Sequence, residues 1–83
     1  MAITQMFGRR ERRDPPLLAI ALAVAADVLA LGSRWSVDVV AHGDSEDYPE
    51  WVTVRFQGAS TSDDQEVADA FMQRITRFGV TLV

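Results

Sequence analysis

The side chains best suited to acid–base chemistry lie around the single histidine, His42. Asp44 and Ser45 follow it within three positions, so this stretch holds a base, a carboxylate and a hydroxyl nucleophile. Nucleophilic catalysis requires a base within hydrogen-bond reach of the nucleophile and a third group that orients the base, and adjacency in sequence establishes neither condition. We therefore interpret His42 as a strand-end residue stacked on Trp51, and we expect no catalytic residues and no enzymatic activity.

Carboxylates are the second group with a chemical use, because hard cations such as Ca²⁺ take about 6–8 oxygen ligands. Asp44, Glu46, Asp47 and Glu50 lie close together, but the spacing and the glycine of an EF-hand loop are absent. We interpret residues 43–50 as a solvated acidic turn and leave open a weak ion site there. The chain has no cysteine, which excludes disulfides and thiolate metal sites. We expect no bound metal and no cofactor.

A basic cluster near the amino terminus could bind anions, and it consists of Arg9, Arg10, Arg12 and Arg13. Glu11 and Asp14 dilute its charge, no aromatic residues are interleaved, and the chain as a whole carries a net charge of -4. Nucleic-acid binders usually carry a clustered positive excess. We interpret the cluster as a solvated connection and keep a nucleic-acid accessory role for this arm as the third functional hypothesis.

The elements that position these residues begin with an unbroken apolar run of 12 residues, from Pro15 to Ala26. A membrane-spanning helix needs about 20 apolar residues, and cleavage as a signal peptide would remove the best helix of a small chain. We interpret the run as a core helix of a soluble, cytoplasmic protein without membrane contact. Asp14 is the expected N-cap, and Gly32 the expected left-handed residue at the C-terminal end.

Helical periodicity divides the apolar residues of this helix between two stripes. The first contains Leu17, Ile20, Val24, Val28 and Leu31, and the second contains Leu18, Leu22 and Leu29. Two stripes predict two packing neighbours. The remaining side is rich in alanine and carries Asp27, so we expect it to face solvent or a second molecule.

Two segments with period-2 alternation follow, "RWSVDVVAHG" and "WVTVRFQG", and they predict a β-hairpin with a long acidic loop. Both apolar faces must meet the same core, which favours pairing Ala41 with Val52, Val39 with Val54 and Val37 with Phe56. This register places Asp38 opposite Arg55 and His42 opposite Trp51 on the outer face of the sheet.

A second helix is predicted in "STSDDQEVADAFMQRITRFG", with Ser62 and Gln65 as a capping box, a core stripe of Val67, Phe71, Ile75 and Phe78, and Gly79 at its end. "VTLV" is expected to be a short strand, and residues 2–7 a first strand. The order βαββαβ predicts a single α+β domain over residues 1–83, a ferredoxin-like split βαβ sandwich with two helices on one face of an antiparallel sheet. The alternative is αββαβ with a disordered basic arm over residues 1–13.

The start of the first helix is similar to a motif of ACT-type regulatory domains, whose first loop and helix often have the sequence Asp-Arg-Pro-Gly-Leu-Leu. The stretch "RDPPLLAIA" shares Pro15, Leu17, Leu18 and Ala19 with that pattern, over fewer than ten residues. Pro16 stands where the family has the glycine that lets the backbone approach an amino-acid ligand. The resemblance implies a small-molecule-sensing regulatory module, which we carry as the alternative function.

The leading hypothesis is a non-catalytic interaction or assembly domain that binds a protein partner or a second copy of itself, with a homodimer expected. Small split βαβ domains leave the outer face of the sheet uncovered, and exposed aromatic side chains are enriched at interfaces. The candidate partner-binding residues are Tyr48 and Trp51 in the "YPEW" stretch, together with Val40, His42, Thr53, Arg55 and Asp38.

Overall fold

The chain folds as an α+β protein with two helices and a four-stranded antiparallel sheet. The computed structural model describes residues 2–9, 15–32, 35–42 and 50–83. The elements follow in the order β1 (Ile3–Arg9), α1 (Leu17–Leu29), β2 (Trp35–His42), β3 (Glu50–Gly58), α2 (Thr61–Ile75) and β4 (Thr81–Leu82), with a 3₁₀ turn at Thr76–Phe78 before β4. The strands lie in the order β2-β3-β1-β4.

The predicted hairpin register is confirmed. Val37 pairs with Phe56, Val39 with Val54 and Ala41 with Val52, while Asp38 lies opposite Arg55 and His42 opposite Trp51. A shift by one residue would turn every apolar side chain of a strand away from the core, which is why the register follows from the sequence.

The first strand is also as predicted, and it extends two residues further than expected, to Arg9. It pairs with β3 along its whole length and with β4 at Phe7 and Gly8. Residues 3–9 are therefore a central strand, and the alternative in which residues 1–13 form a disordered arm is wrong for them.

The core lies between one face of the sheet and the two helices. Phe71 of α2 contacts Phe7 of β1 and Phe56 of β3, with ring centroids 5.3 Å and 5.2 Å apart. On the side of α1, the indole Nε1 of Trp35 donates a hydrogen bond to the carbonyl oxygen of Val28 (3.2 Å). Aromatic pairs at these centroid distances are favourable beyond the apolar area that they bury.

Among the described residues α1 packs against both the sheet and α2, so the two predicted neighbours are present, but the second apolar stripe is not buried in either contact. Leu18, Leu22 and Leu29, hereafter the Leu stripe, are exposed, whereas the buried side of the helix includes Ala21 and Ala25. The core therefore uses small side chains where α1 packs closely, and the larger leucines stay outside. Leu31, assigned to the first stripe, is exposed as well.

The helix ends differ from the predicted ones. Asp14 lies outside the described residues, the N-cap position of α1 is Pro16, and Gly32 lacks the left-handed conformation expected of it. The N-cap of α2 is Ser60, whose side chain accepts a hydrogen bond from the Asp63 N–H, so the capping box predicted at Ser62 is wrong by two residues.

The end of the second helical segment is confirmed at Gly79, which takes the left-handed conformation at φ 74°. Phe78 is exposed rather than part of the core stripe, because the last turn before Gly79 is a 3₁₀ turn and rotates it outwards. Within the described residues, no helix combines the length and the apolar character that crossing a bilayer requires.

Candidate interaction site

The sheet face opposite the helices carries most of the candidate partner-binding residues that were predicted from the sequence. Alternation along β2 and β3 directs Asp38, Val40, His42, Trp51, Thr53 and Arg55 to this outer face. The sheet register then arranges them in rows across the strands, so that residues far apart in sequence become neighbours. Tyr48, the remaining candidate, lies outside the described residues.

His42, Trp51 and Thr53 form one interlocked group on this face. The imidazole and indole rings are stacked, with centroids 3.9 Å apart and planes inclined by 8°. The Nε2 atom of His42 forms a hydrogen bond of 2.7 Å with Thr53 Oγ1. The stack and the hydrogen bond together hold the exposed imidazole in one orientation. This confirms the interpretation of His42 as a residue stacked on Trp51.

Two apolar side chains lie in the next row. Register places Met6, Thr53 and Val40 side by side on β1, β3 and β2. Val40 and Met6 are among the exposed large hydrophobic residues. We call Met6, Val40, His42, Trp51 and Thr53 the outer-face patch. Sequence reasoning missed Met6, although the alternation along residues 3–7 already directed it away from Phe7.

Asp38 and Arg55 flank the outer-face patch. They lie directly opposite each other on β2 and β3, as predicted, although no ion pair joins them among the described residues. Both are exposed, so each charged group remains available to a molecule that approaches this face.

One polar atom in the outer-face patch has no hydrogen-bond partner among the described residues. The Nε1 atom of Trp51 is shielded from solvent, as is the Oε1 atom of Gln5 on the other side of the sheet. A buried N–H without an acceptor costs about 1–3 kcal/mol. Among the described residues, the indole therefore contacts the patch through its stack on His42 rather than through a hydrogen bond of its own N–H.

A second polar group of the structure lies at the start of α1. Arg9 donates to Glu50 Oε1 through Nε (3.0 Å) and Nη2 (2.6 Å), and through Nη2 to the carbonyl oxygen of Pro15 (2.8 Å). The other oxygen of Glu50 accepts a hydrogen bond from the backbone N–H of Leu17 (2.8 Å). Glu50 therefore supplies the carboxylate at the positive end of α1 that the sequence assigned to Asp14.

This arrangement corrects the expected role of Arg9. It is only 4% exposed and belongs to a strand, so it does not extend into solvent as part of an anion-binding arm. Arg10, Arg12 and Arg13 lie outside the described residues. Glu50 likewise has its carboxylate directed to Arg9 and Leu17, and the rest of the acidic turn, residues 43–49, lies outside the described part of the chain.

No group of three or more histidine, cysteine or acidic residues in the described ranges is arranged to hold a metal ion. Comparison with protein-family models finds no match for the chain, and comparison with curated proteins finds no significantly similar sequence. The function proposed next therefore rests on the geometry of the described residues.

Proposed function

We propose that this chain is a non-catalytic protein-interaction domain of the ferredoxin-like split βαβ type, and that it binds a partner protein through the outer-face patch. The order of its elements and the strand order β2-β3-β1-β4 support the fold assignment. In this arrangement both helices pack on one face, which leaves the opposite face for a partner.

The observation that carries the proposal is the pre-ordered aromatic group on the sheet face that no described element covers. His42 is stacked on Trp51 and hydrogen-bonded to Thr53, and the apolar side chains of Val40 and Met6 are exposed beside them. Interfaces are enriched in aromatic residues and methionine, and rigid side chains lose little entropy on binding. A partner that presents an apolar surface with a few hydrogen-bonding groups would match this patch.

The alternative, a small-molecule-sensing module, has less support at the place where the ACT resemblance lies. An amino-acid ligand bound at the start of α1 would use the free backbone N–H groups there, and Leu17 already donates to Glu50. That carboxylate is held in turn by the buried Arg9. A nucleic-acid role for the basic arm also loses support, because Arg9 is buried within the fold.

Site-specific photo-crosslinking in cells of the source organism tests the proposal. A photoreactive phenylalanine analogue is placed at Met6, in the outer-face patch, and at Gln73, an exposed position on α2, as the matched control. We expect a discrete adduct with a different protein at position 6 and none at position 73. Equal patterns at both positions, or no adduct at position 6, would contradict the proposal.

A thermal-shift screen of amino acids and nucleotides separates the two hypotheses. A ligand present at 100 times its Kd stabilises a protein by about 2.7 kcal/mol. We expect no compound to raise the unfolding temperature by the amount that such a stabilisation would produce. A clear shift with one compound class would favour the sensing module instead.

A further inference from the structure

The hydrophobic core is incompletely closed at one edge of the sheet. On β3, the inward-facing Val52, Val54 and Phe56 are completely buried. On the edge strand β2, Val37 and Val39 face the same core but are only partly buried, and Ala41 is exposed. The difference arises because nothing in the described part of the chain lies beyond β2. Apolar area on the inner face of β2 is therefore left in contact with solvent.

The backbone of β2 is also open to pairing. Edge strands of soluble proteins are usually protected by prolines, bulges, basic side chains or short length. β2 has eight residues, "WSVDVVAH", with no proline, glycine, lysine or arginine, and Asp38 is its single acidic residue. The opposite edge strand, β4, has only two residues. The long β2 edge is thus the side of the sheet on which a further strand can be added.

The Leu stripe points towards this same edge. β1 and β2 are both antiparallel to β3, so they are parallel to each other. A connection between parallel strands of one sheet is right-handed in about 98% of cases. With that hand, the buried arc of α1 from Ile20 to Ala25 faces the sheet and α2. The Leu stripe forms the next sector of the helix surface, on the side of the free edge of β2.

We propose that a second copy of this chain pairs with the first through β2, antiparallel and about a two-fold axis, to form one continuous eight-stranded sheet. Two antiparallel copies of α1 then lie on the same side of that sheet, with their Leu stripes facing each other across the seam. The seam includes Val40 and His42 of the outer-face patch, but its occupant is a second copy paired edge to edge, so this inference goes beyond the proposed function and does not depend on it.

The side chains of β2 select one register for this pairing. Even-numbered residues of β2 must lie opposite even-numbered residues of the second copy, and odd-numbered opposite odd-numbered. Otherwise the inner face of one copy would join the outer face of the other. With the two-fold axis at Asp38, the two Asp38 carboxylates would lie opposite each other. With the axis at Val39, Asp38 would lie opposite Val40 of the second copy. With the axis at Val40, the two Val40 side chains lie together and Asp38 lies opposite His42 of the second copy.

This last register also places a hydrogen-bond donor opposite an acceptor. The Nε2 atom of His42 is already bonded to Thr53, which leaves Nδ1 for the carboxylate of Asp38 in the second copy. Because the axis repeats each contact, the pair forms twice. A self-complementary surface of this kind is what a two-fold interface requires. It is the reason for choosing a second copy over an unrelated extended peptide as the occupant of the edge.

Sedimentation equilibrium of the full chain tests the pairing, with Leu22→Glu as the disrupting variant. Leu31→Glu is the matched control, because Leu31 is equally exposed (55% against 52% for Leu22) and lies outside the Leu stripe. We expect a dimer for the wild type, at least tenfold weaker association for Leu22→Glu and unchanged association for Leu31→Glu. Circular dichroism shows whether each variant is folded. A monomeric wild type, or equal weakening by both substitutions, would overturn the proposal.

Cysteine substitution tests the register, since the chain has no cysteine of its own. Val40→Cys places two thiols across the axis, where cross-strand Cα atoms lie about 4.5–5.5 Å apart, within the range that a disulfide bridges. We expect rapid formation of a covalent dimer on mild oxidation. Ser36→Cys and Asp38→Cys, on the same face of β2, should crosslink at least tenfold more slowly. Faster crosslinking at position 36 or 38 than at position 40 would refute this register.

Discussion

The buried guanidinium of Arg9 joins three parts of the fold at a single residue. It contacts Glu50 at the start of β3 and the carbonyl oxygen of Pro15 just before α1, and Glu50 contacts the first residue of α1. A buried charge that loses its counter-ion keeps its desolvation penalty and loses the compensating attraction. The stability of the junction between β1, β3 and α1 should therefore depend strongly on the carboxylate of Glu50.

We expect Glu50→Ala to lower the free energy of unfolding by about 3 kcal/mol, at the lower end of the range for breaking a buried ion pair because Glu50 is partly exposed. Urea unfolding with an unchanged m value measures this loss. Replacing both partners, with Arg9→Met and Glu50→Leu, should restore more than half of it. If the double variant is no more stable than Glu50→Ala, compensation of Arg9 by Glu50 is not the cause. Asp27→Asn, an exposed acid on α1, is the control and should change stability by less than about 0.5 kcal/mol.

Gly58 is required for a different reason, the close approach of β3 to α2. A Cβ atom at this position would lie 2.4 Å from Asp63 Cβ and 2.9 Å from its backbone carbon. The Gly58 N–H donates a hydrogen bond to Oδ1 of the buried Asp64. Any displacement that relieves the steric clash therefore also strains this hydrogen bond.

We expect Gly58→Ala to destabilise the fold by about 2–3 kcal/mol, as other overpacked sites do. Gly32→Ala is the matched control, because its Cβ would lie 3.6 Å from the ring of Trp35, an ordinary contact distance. It should change stability by less than about 0.5 kcal/mol. Thermal and urea unfolding of both variants provide the comparison. Similar losses for the two would show that backbone freedom, rather than the clash with α2, determines the effect.

Helix α2 is capped at its N-terminus by Ser60 rather than by Ser62. Ser60, Thr61 and Ser62 each have a polar residue three positions on, so the sequence offers three capping registers. The structure uses Ser60, whose Oγ accepts from the Asp63 N–H at 3.2 Å, and whose carbonyl oxygen accepts the first helical hydrogen bond from the Asp64 N–H.

Ser60→Ala should therefore cost about 1 kcal/mol in urea unfolding, the usual loss for an N-cap. Ser62→Ala, an exposed position in the first turn, should stay within about 0.5 kcal/mol of the wild type. The reverse order would place the cap at Ser62 and show that α2 begins two residues later in solution.

The register of the strands could be predicted from the sequence, whereas the packing and the ends of the helices could be predicted only in part. Alternation with period 2 identifies β2 and β3, and the need for both strands to face one core determines their register. The same reasoning places Val40, His42, Trp51 and Thr53 together on the outer face. Met6 follows the same alternation on β1, and its pairing with Thr53 adds it to this group.

The contacts that escaped prediction depend on distant residues or on a choice between equivalent local options. Arg9 and Glu50 are 41 positions apart, and no local pattern links them. At the end of α1, N–H groups of Leu31 and Gly32 bond three residues back, to Val28 and Leu29, so no left-handed glycine is needed there. Helical periodicity revealed the Leu stripe, but it cannot distinguish burial by the same chain from burial by another.

For the whole molecule, the Leu stripe and the open β2 edge have a common consequence for stability. A chain of 83 residues buries only about 60% of the surface that its unfolded form exposes. Covering the partly buried Val37 and Val39 with a second copy would add apolar burial where the monomer lacks it. Met6, Trp51 and Thr53 of the outer-face patch would remain accessible in such a dimer, because they lie on β1 and β3 and the two sheets join edge to edge at β2.

The stability of such a dimer should depend on protein concentration. For unfolding coupled to dissociation, each tenfold rise in concentration adds about 1.4 kcal/mol per dimer, or about 3–5 °C in Tm for a molecule of this size. We expect Tm to rise in this way for the wild type between about 1 and 100 µM, where the folded state is dimeric. Leu22→Glu should unfold at a Tm independent of concentration, because the folded monomer is then the species that melts. Calorimetry at three concentrations measures both slopes, and a flat slope for the wild type would show that the free edge of β2 remains unpaired in solution.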